Sequence, residues 1–119
     1  MYYGGIDSGS LTTDAVLISD GELVAYEVVP TGASNRKAAE RAWRGVLDKA
    51  GIKSDDVARL VATGYGRDSV DFADASVTEI TCHGKGAHYF FEDLRTVIDV
   101  GGQDSKVIRT DETGRGTDF

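Results

Sequence analysis

The pair Asp20-Gly21 sits between two apolar runs, Ala15-Val16-Leu17-Ile18 and Leu23-Val24-Ala25-Tyr26-Glu27-Val28-Val29, and it fixes how this chain begins. Asp-Gly supplies the positive φ angles that a two-residue hairpin turn requires. Residues 2–7 and 14–19 read as strands on either side of a first glycine-rich loop, so the chain opens as a three-strand antiparallel meander. A Rossmann unit or a Walker-type P-loop domain opens differently, and both are excluded. Pro30 and Thr31-Gly32 end the meander.

Beyond it, Ser34 is a helix cap, and Ala38, Ala39, Ala42, Trp43, Val46, Leu47 and Ala50 recur at helical spacing. Trp43 lies on that apolar stripe and reads as core, while Glu40 and Arg44 lie on the wet side. Gly51 suits a left-handed helix end. Val57 to Ala62 is a short buried strand running into Thr63-Gly64-Tyr65-Gly66-Arg67, which suits either a loop beside a ligand or a plain turn. A polar stretch from Asp68 to Ser76 includes a helical turn. A helix is expected from about Cys82 to Glu92, then strands at 94–100 and 105–110 and a turn at Asp111-Glu112-Thr113-Gly114. The expected class is α/β, a mixed sheet flanked by helices, in one modest domain of 119 residues.

Charge narrows the partners. Twenty acidic against thirteen basic residues give a net charge of −7, with no basic block to neutralise nucleic acid or an anionic membrane. Arg36, Lys37, Arg41 and Arg44 read as the solvated face of the long helix. No apolar run reaches the ~20 residues that span a bilayer, and Met1 to Gly5 lacks a signal-peptide start. One cysteine excludes an intrachain disulfide. A cytoplasmic location is expected.

The chemistry concentrates in two glycine-rich loops about ninety residues apart, Gly5-Ile6-Asp7-Ser8-Gly9-Ser10-Leu11-Thr12-Thr13 and Asp99-Val100-Gly101-Gly102-Gln103-Asp104-Ser105. Glycine lets backbone N–H groups approach a phosphate, hydroxyls add donors, and a carboxylate holds Mg²⁺ directly or through water. Asp7 and Asp99 are the candidate Mg²⁺ carboxylates. Ser8, Gly9, Ser10, Thr12 and Thr13 offer donors, Gly101 and Gly102 admit the phosphate, and Gln103 or Asp104 orients an attacking water. Ordinary β-turns use the same residues, but the matched pair points to two hairpins gripping one nucleoside triphosphate. Cys82, at the expected start of a helix, reads either as a small buried residue or as a thiolate favoured by the helix dipole. Gly84 and Gly86 weaken that helix and hint at a close approach. His83 and His88 do not complete a zinc set.

Taken in order, Gly5 to Ser10, Ala62-Thr63-Gly64-Tyr65-Gly66-Arg67, Thr78-Glu79-Ile80-Thr81-Cys82-His83 and Asp99 to Lys106 closely resemble the activators of 2-hydroxyacyl-CoA dehydratases. That family includes the ATPase subunits of benzoyl-CoA reductase and belongs to the superfamily of actin, sugar kinases and heat-shock chaperone ATPases. The resemblance implies a ribonuclease-H-like ATPase lobe over residues 1–119, the N-terminal lobe of an actin-like domain whose second lobe lies beyond this chain. It implies Mg-ATP bound between lobes, with Ser8, Gly9, Ser10, Leu11, Thr12 and Thr13 in the first phosphate motif and Asp99 to Asp104 in the second. It implies a homodimer sharing one [4Fe–4S] cluster, Cys82 being the first of two ligands per subunit. A dehydratase or reductase would be the partner enzyme and reduced ferredoxin or flavodoxin the donor. One departure stands out: Asp14 occupies a place that is commonly basic in the family. Two rival readings are an amino-sugar kinase of the same superfamily and a truncated remnant without catalysis.

Overall fold

β1 (Tyr2–Ser8), β2 (Thr12–Ser19) and β3 (Glu22–Pro30) form the antiparallel meander. Asp20 at φ 54° and Gly21 at φ 75° make the β2–β3 turn left-handed at both positions, the geometry that matches strand twist. After α1 (Asn35–Ala50) the chain returns as β4 (Val57–Thr63), parallel to β1, and the two-residue β5 (Ala75–Ser76) adds beyond it. The resulting sheet is mixed, in the order β3-β2-β1-β4-β5. The computed structural model describes residues 1–93, 95–100 and 105–118, and this sheet with α1 forms the first of two compact units, Met1–Val77. The second, Thr78–Phe119, holds α2 (Glu79–Phe90) and an antiparallel sheet of β6 (Thr96–Val100), β7 (Ser105–Thr110) and β8 (Gly116–Asp118).

Strand alternation sorts the first sheet into two faces. Ile6, Ala15, Leu17, Leu60 and Ala62 point to one side and close a core with Ala39, Ala42, Trp43 and Val46 of α1. Trp43 lies across Gly4, where a Cβ would run into the indole ring and come within 2.9 Å of Leu60 Cδ1. The helix ends are as the sequence indicates. Ser34 Oγ accepts from the Lys37 N–H at 3.2 Å, and Gly51 closes α1 at φ 69°. On the wet side Glu40 pairs with Arg36 at 3.3 Å, and Arg36 also reaches Asp71 at 3.3 Å. Among the described residues, no helix is long and apolar enough to cross a membrane.

In the second unit α2 starts three residues earlier than expected, after Thr78. The Cys82 N–H already donates to Thr78 O at 3.2 Å, so Cys82 lies inside the first turn instead of heading the helix. Its own amide is therefore spent within the helix, although the dipole still acts over the first turn. Gly84 owes its small size to the chain's own packing: a Cβ there would lie 3.2 Å from Gly114 O and 3.4 Å from Thr110 Cγ2. Around Gly86 there is open space within 4 Å.

The β7–β8 turn is organised by Asp111. Its Oδ1 accepts from the Thr113 hydroxyl at 2.6 Å, the Thr113 N–H at 2.9 Å and the Arg115 N–H at 3.0 Å. These donors favour the charged form and lower the Asp111 pKa from 3.8 to about 2. A pKa lowered by folding stabilises above the unfolded value and loses that contribution as pH falls through the folded one. The turn is therefore expected to hold above pH 3.8 and to loosen progressively toward pH 2. A carboxyl NMR titration checks it, and Asp111→Asn should remove this acid-dependent step.

Candidate functional site

β1 and β2 close around Gly9-Ser10-Leu11-Thr12, with Ser8 in register with Thr13 and Asp7 with Asp14. The Gly9 N–H donates to Thr12 O at 3.0 Å across the loop. Thr31 secures it from the end of β3. Its N–H donates to Leu11 O at 2.9 Å, and its hydroxyl donates to Gly9 O at 2.8 Å. With that proton committed, the 2.8 Å contact between the Thr13 and Thr31 hydroxyls has Thr13 as donor. At the start of α1, Asn35 Nδ2 donates to Ser8 Oγ at 3.0 Å.

These bonds divide the expected phosphate donors into two groups. Ser8 and Thr13 are fully buried and brace the loop from the helix side of the sheet. Leu11 and Thr12 are exposed and Gly9 and Ser10 half-buried, so the loop's outer surface is offered by residues 9–12. Thr31 and Asn35 are supporting residues that sequence reasoning missed. Their bonds join positions 18 to 27 apart, and no local pattern announces them.

The loop after β4 lies against the same hairpin. The Gly66 N–H donates to Ser8 O at 2.9 Å. Gly64 has φ 94°, and a Cβ there would stand 2.5 Å from both Asp7 Oδ1 and Ser8 O. Real side chains do not tolerate such approaches, so glycine at 64 is what lets the Asp7 carboxylate and the β4 loop share one space. The Arg67 guanidinium and N–H both reach Gly64 O, each at 3.1 Å, and close the loop on itself. The segment Gly64 to Arg67 thus lies beside the first glycine loop.

The second hairpin repeats the first in register. Val100 opposite Ser105 closes the four positions 101–104, as Ser8 opposite Thr13 closes 9–12, and Asp99 pairs with Lys106 where Asp7 pairs with Asp14. The candidate residues Gly101, Gly102, Gln103 and Asp104, and the Asp99 side chain, lie outside the described residues. Asp7 belongs to the first unit, and Asp99 and Cys82 to the second. Cys82 is half-buried and is not in a disulfide.

A backbone loop with an outward surface, a carboxylate beside it and a glycine cradle fits an anionic, metal-bearing ligand. Comparison with known proteins narrows the field. The model of the BadF/BadG/BcrA/BcrD ATPase family matches residues 5–119. The activator of lactoyl-CoA dehydratase from Anaerotignum propionicum is 44% identical over 96% of this chain and 44% of its own length. The crystal structure of (R)-2-hydroxyglutaryl-CoA dehydratase component A from Acidaminococcus fermentans superposes with a TM-score of 0.93 at 39% identity, over 99% of this chain and 46% of that one. The activator of 2-hydroxyisocaproyl-CoA dehydratase from Clostridium difficile, solved with bound ADPNP, gives 0.90 at 35% identity, over 100% of this chain and 44% of that one. The chain thus spans about half the length of the relatives it matches. The expected α/β, ribonuclease-H-like ATPase fold is the one observed. With the family model covering all but the first four residues, and the glycine hairpin and its Gly64 cradle in place, the chain belongs to the BadF/BadG/BcrA/BcrD ATPase family.

Proposed function

We propose that this chain is the ATP-binding N-terminal lobe of an ATP-driven iron–sulfur electron-transfer activator, serving a 2-hydroxyacyl-CoA dehydratase or a benzoyl-CoA reductase type enzyme. The observation that carries the reading is the meeting of the Gly9–Thr12 hairpin with the Gly64–Gly66 loop at Asp7, in a chain similar throughout to an activator solved with an ATP analogue. In this reading the backbone of residues 9–12 takes the phosphates, and Asp7 and Asp99 orient a Mg²⁺ ion. Gln103 or Asp104 positions the water that attacks the γ-phosphorus, while Gly101 and Gly102 admit the phosphate from the second hairpin. Positioning of this kind supplies nearly all the catalysis in phosphoryl transfer.

A [4Fe–4S] cluster held by Cys82, a second cysteine and the same pair from a partner subunit would supply one-electron chemistry at low potential. The half-buried position of Cys82 in the first turn of α2 fits an anionic cluster, since the positive end of the helix dipole lies within one turn of the sulfur. A homodimer, a ferredoxin or flavodoxin donor and a cytoplasmic setting complete the proposal. Because both lobes are needed to exclude water, this chain alone should bind nucleotide weakly and turn over little.

The test is a steady-state ATPase assay on the protein completed by its second lobe and reconstituted anaerobically with iron and sulfide. Wild type should turn over ATP and carry a brown cluster, while Asp7→Asn should lose about 10²-fold or more in rate, the usual scale for one lost electrostatic contact. Equal rates in wild type, Asp7→Asn and Asp99→Asn would sink the reading.

A further inference from the structure

β3 stands at the end of the first sheet, beside β2. An end strand offers its outward N–H and C=O groups to any other strand, and a long apolar one invites pairing. Leu23, Val24, Tyr26 and Val28 are all exposed along β3. Its register with β2 is regular from Tyr26 to Pro30. Just beyond, the Thr31 N–H donates to Leu11 O, on the side of the neighbouring hairpin. Strand alternation therefore turns the main-chain groups of residues 26, 28 and 30 the other way, to the open edge.

Two cations from α1 occupy that edge. Lys49 Nζ donates to Tyr26 O at 2.8 Å, and Arg41 Nη2 donates to Pro30 O at 2.9 Å. Arg41 and Lys49 are eight positions apart, Tyr26 and Pro30 four. A helix rises about 12 Å over the first interval and a strand about 13 Å over the second, so cations and carbonyls match. Lys49 is held from two sides, by the Glu27 carboxylate at 3.3 Å and by the Tyr26 ring, whose centroid lies 5.6 Å from Nζ. Gly45, midway between the two cations, makes the room: a Cβ there would stand 2.6 Å from Glu27 Oε2. Pro30 has no N–H to offer and closes the far end of the strand.

We propose that Arg41 and Lys49 are gatekeepers that keep β3 from pairing, antiparallel and edge to edge, with β3 of a second copy of this chain. A second copy is the natural competitor, because a strand pairing with itself about a two-fold axis needs only one patch. Centred on Val28, such a pairing sets Tyr26 opposite Pro30 of the second copy, and so Lys49 opposite its Arg41. The cations therefore act twice. They occupy the carbonyls that the seam would use, and they set like charges against each other across it. None of this depends on the ATPase reading.

Sedimentation velocity of the full chain measures self-association, with reductant and chelator present so that Cys82 links no copies. Wild type sets the baseline, and circular dichroism confirms the fold of each variant. Arg41→Ala with Lys49→Ala should tighten self-association about 10-fold or more, the scale of one hydrogen bond to a charged group. Lys49→Arg, which keeps a donor, should stay at the baseline. Adding Val28→Pro to the double variant removes an outward N–H from the seam and should return it to the baseline. Amide exchange at Val28, slowed in the associated double variant, reports the same seam independently. A folded double variant that associates no more than wild type overturns the proposal. So does association that survives Val28→Pro or leaves Val28 exchange unchanged. If the double variant does not fold, Lys49→Ala against Lys49→Arg decides alone.

Discussion

Gly64→Val is expected to unseat the proposed nucleotide site and to destabilise the first unit together. A non-glycine residue at φ 94° costs about 1–3 kcal/mol in backbone strain, and more for a branched side chain. The new Cβ would also collide with Asp7 Oδ1 and Ser8 O, each 2.5 Å away, adding about 1–3 kcal/mol of overpacking. Backbone and carboxylate cannot both keep their positions, so relief must come from moving Asp7 or the Gly66–Ser8 hydrogen bond. Denaturant unfolding should report a loss of about 2–5 kcal/mol. Nucleotide affinity of the completed protein should fall more than in Tyr65→Ala, since Tyr65 is 78% exposed on the same loop. A Gly64→Val protein with full stability would mean that the β4 loop does not press on Asp7.

The second large effect is structural. Trp43→Ala should cost about 3–5 kcal/mol, the range for removing a buried aromatic from a core that cannot collapse to fill the space. Trp43 is 7% exposed and packs with Ile6, Leu60 and Val46 between α1 and the sheet. The backbone at Gly4 offers no side chain to fill the gap, so the cavity would remain. The same denaturation curve measures this loss. A cost below about 1 kcal/mol would place Trp43 outside the core.

Much of this architecture was legible because its signals are local. Asp20-Gly21, the alternation of β2 and the helical spacing from Ala38 to Val46 each act within a few residues, and each element formed as the pattern required. The start of α2 lies three residues before the expected one because the helix begins after Thr78, a cap-type residue whose side chain makes no capping hydrogen bond. The site was half visible. Glycine and acid spacing identified the first loop, but strand alternation buries Ser8 and Thr13 and turns them into braces. The roles of Thr31, Asn35 and Gly64 depend on contacts from distant elements, which sequence spacing does not encode. The opposition of Asp14 to Asp7 needed the pairing register.

The central claim is that Asp7 and Asp99, from two separate hairpins, serve one magnesium–triphosphate. A double-mutant cycle on Mg-ADPNP affinity in the completed protein tests it, using Asp7→Asn, Asp99→Asn and the double variant. Two residues acting on one ion are coupled, so the double variant should lose far less than the product of the single losses. Losses that simply multiply, or an Asp99→Asn protein that binds as wild type, would contradict the account.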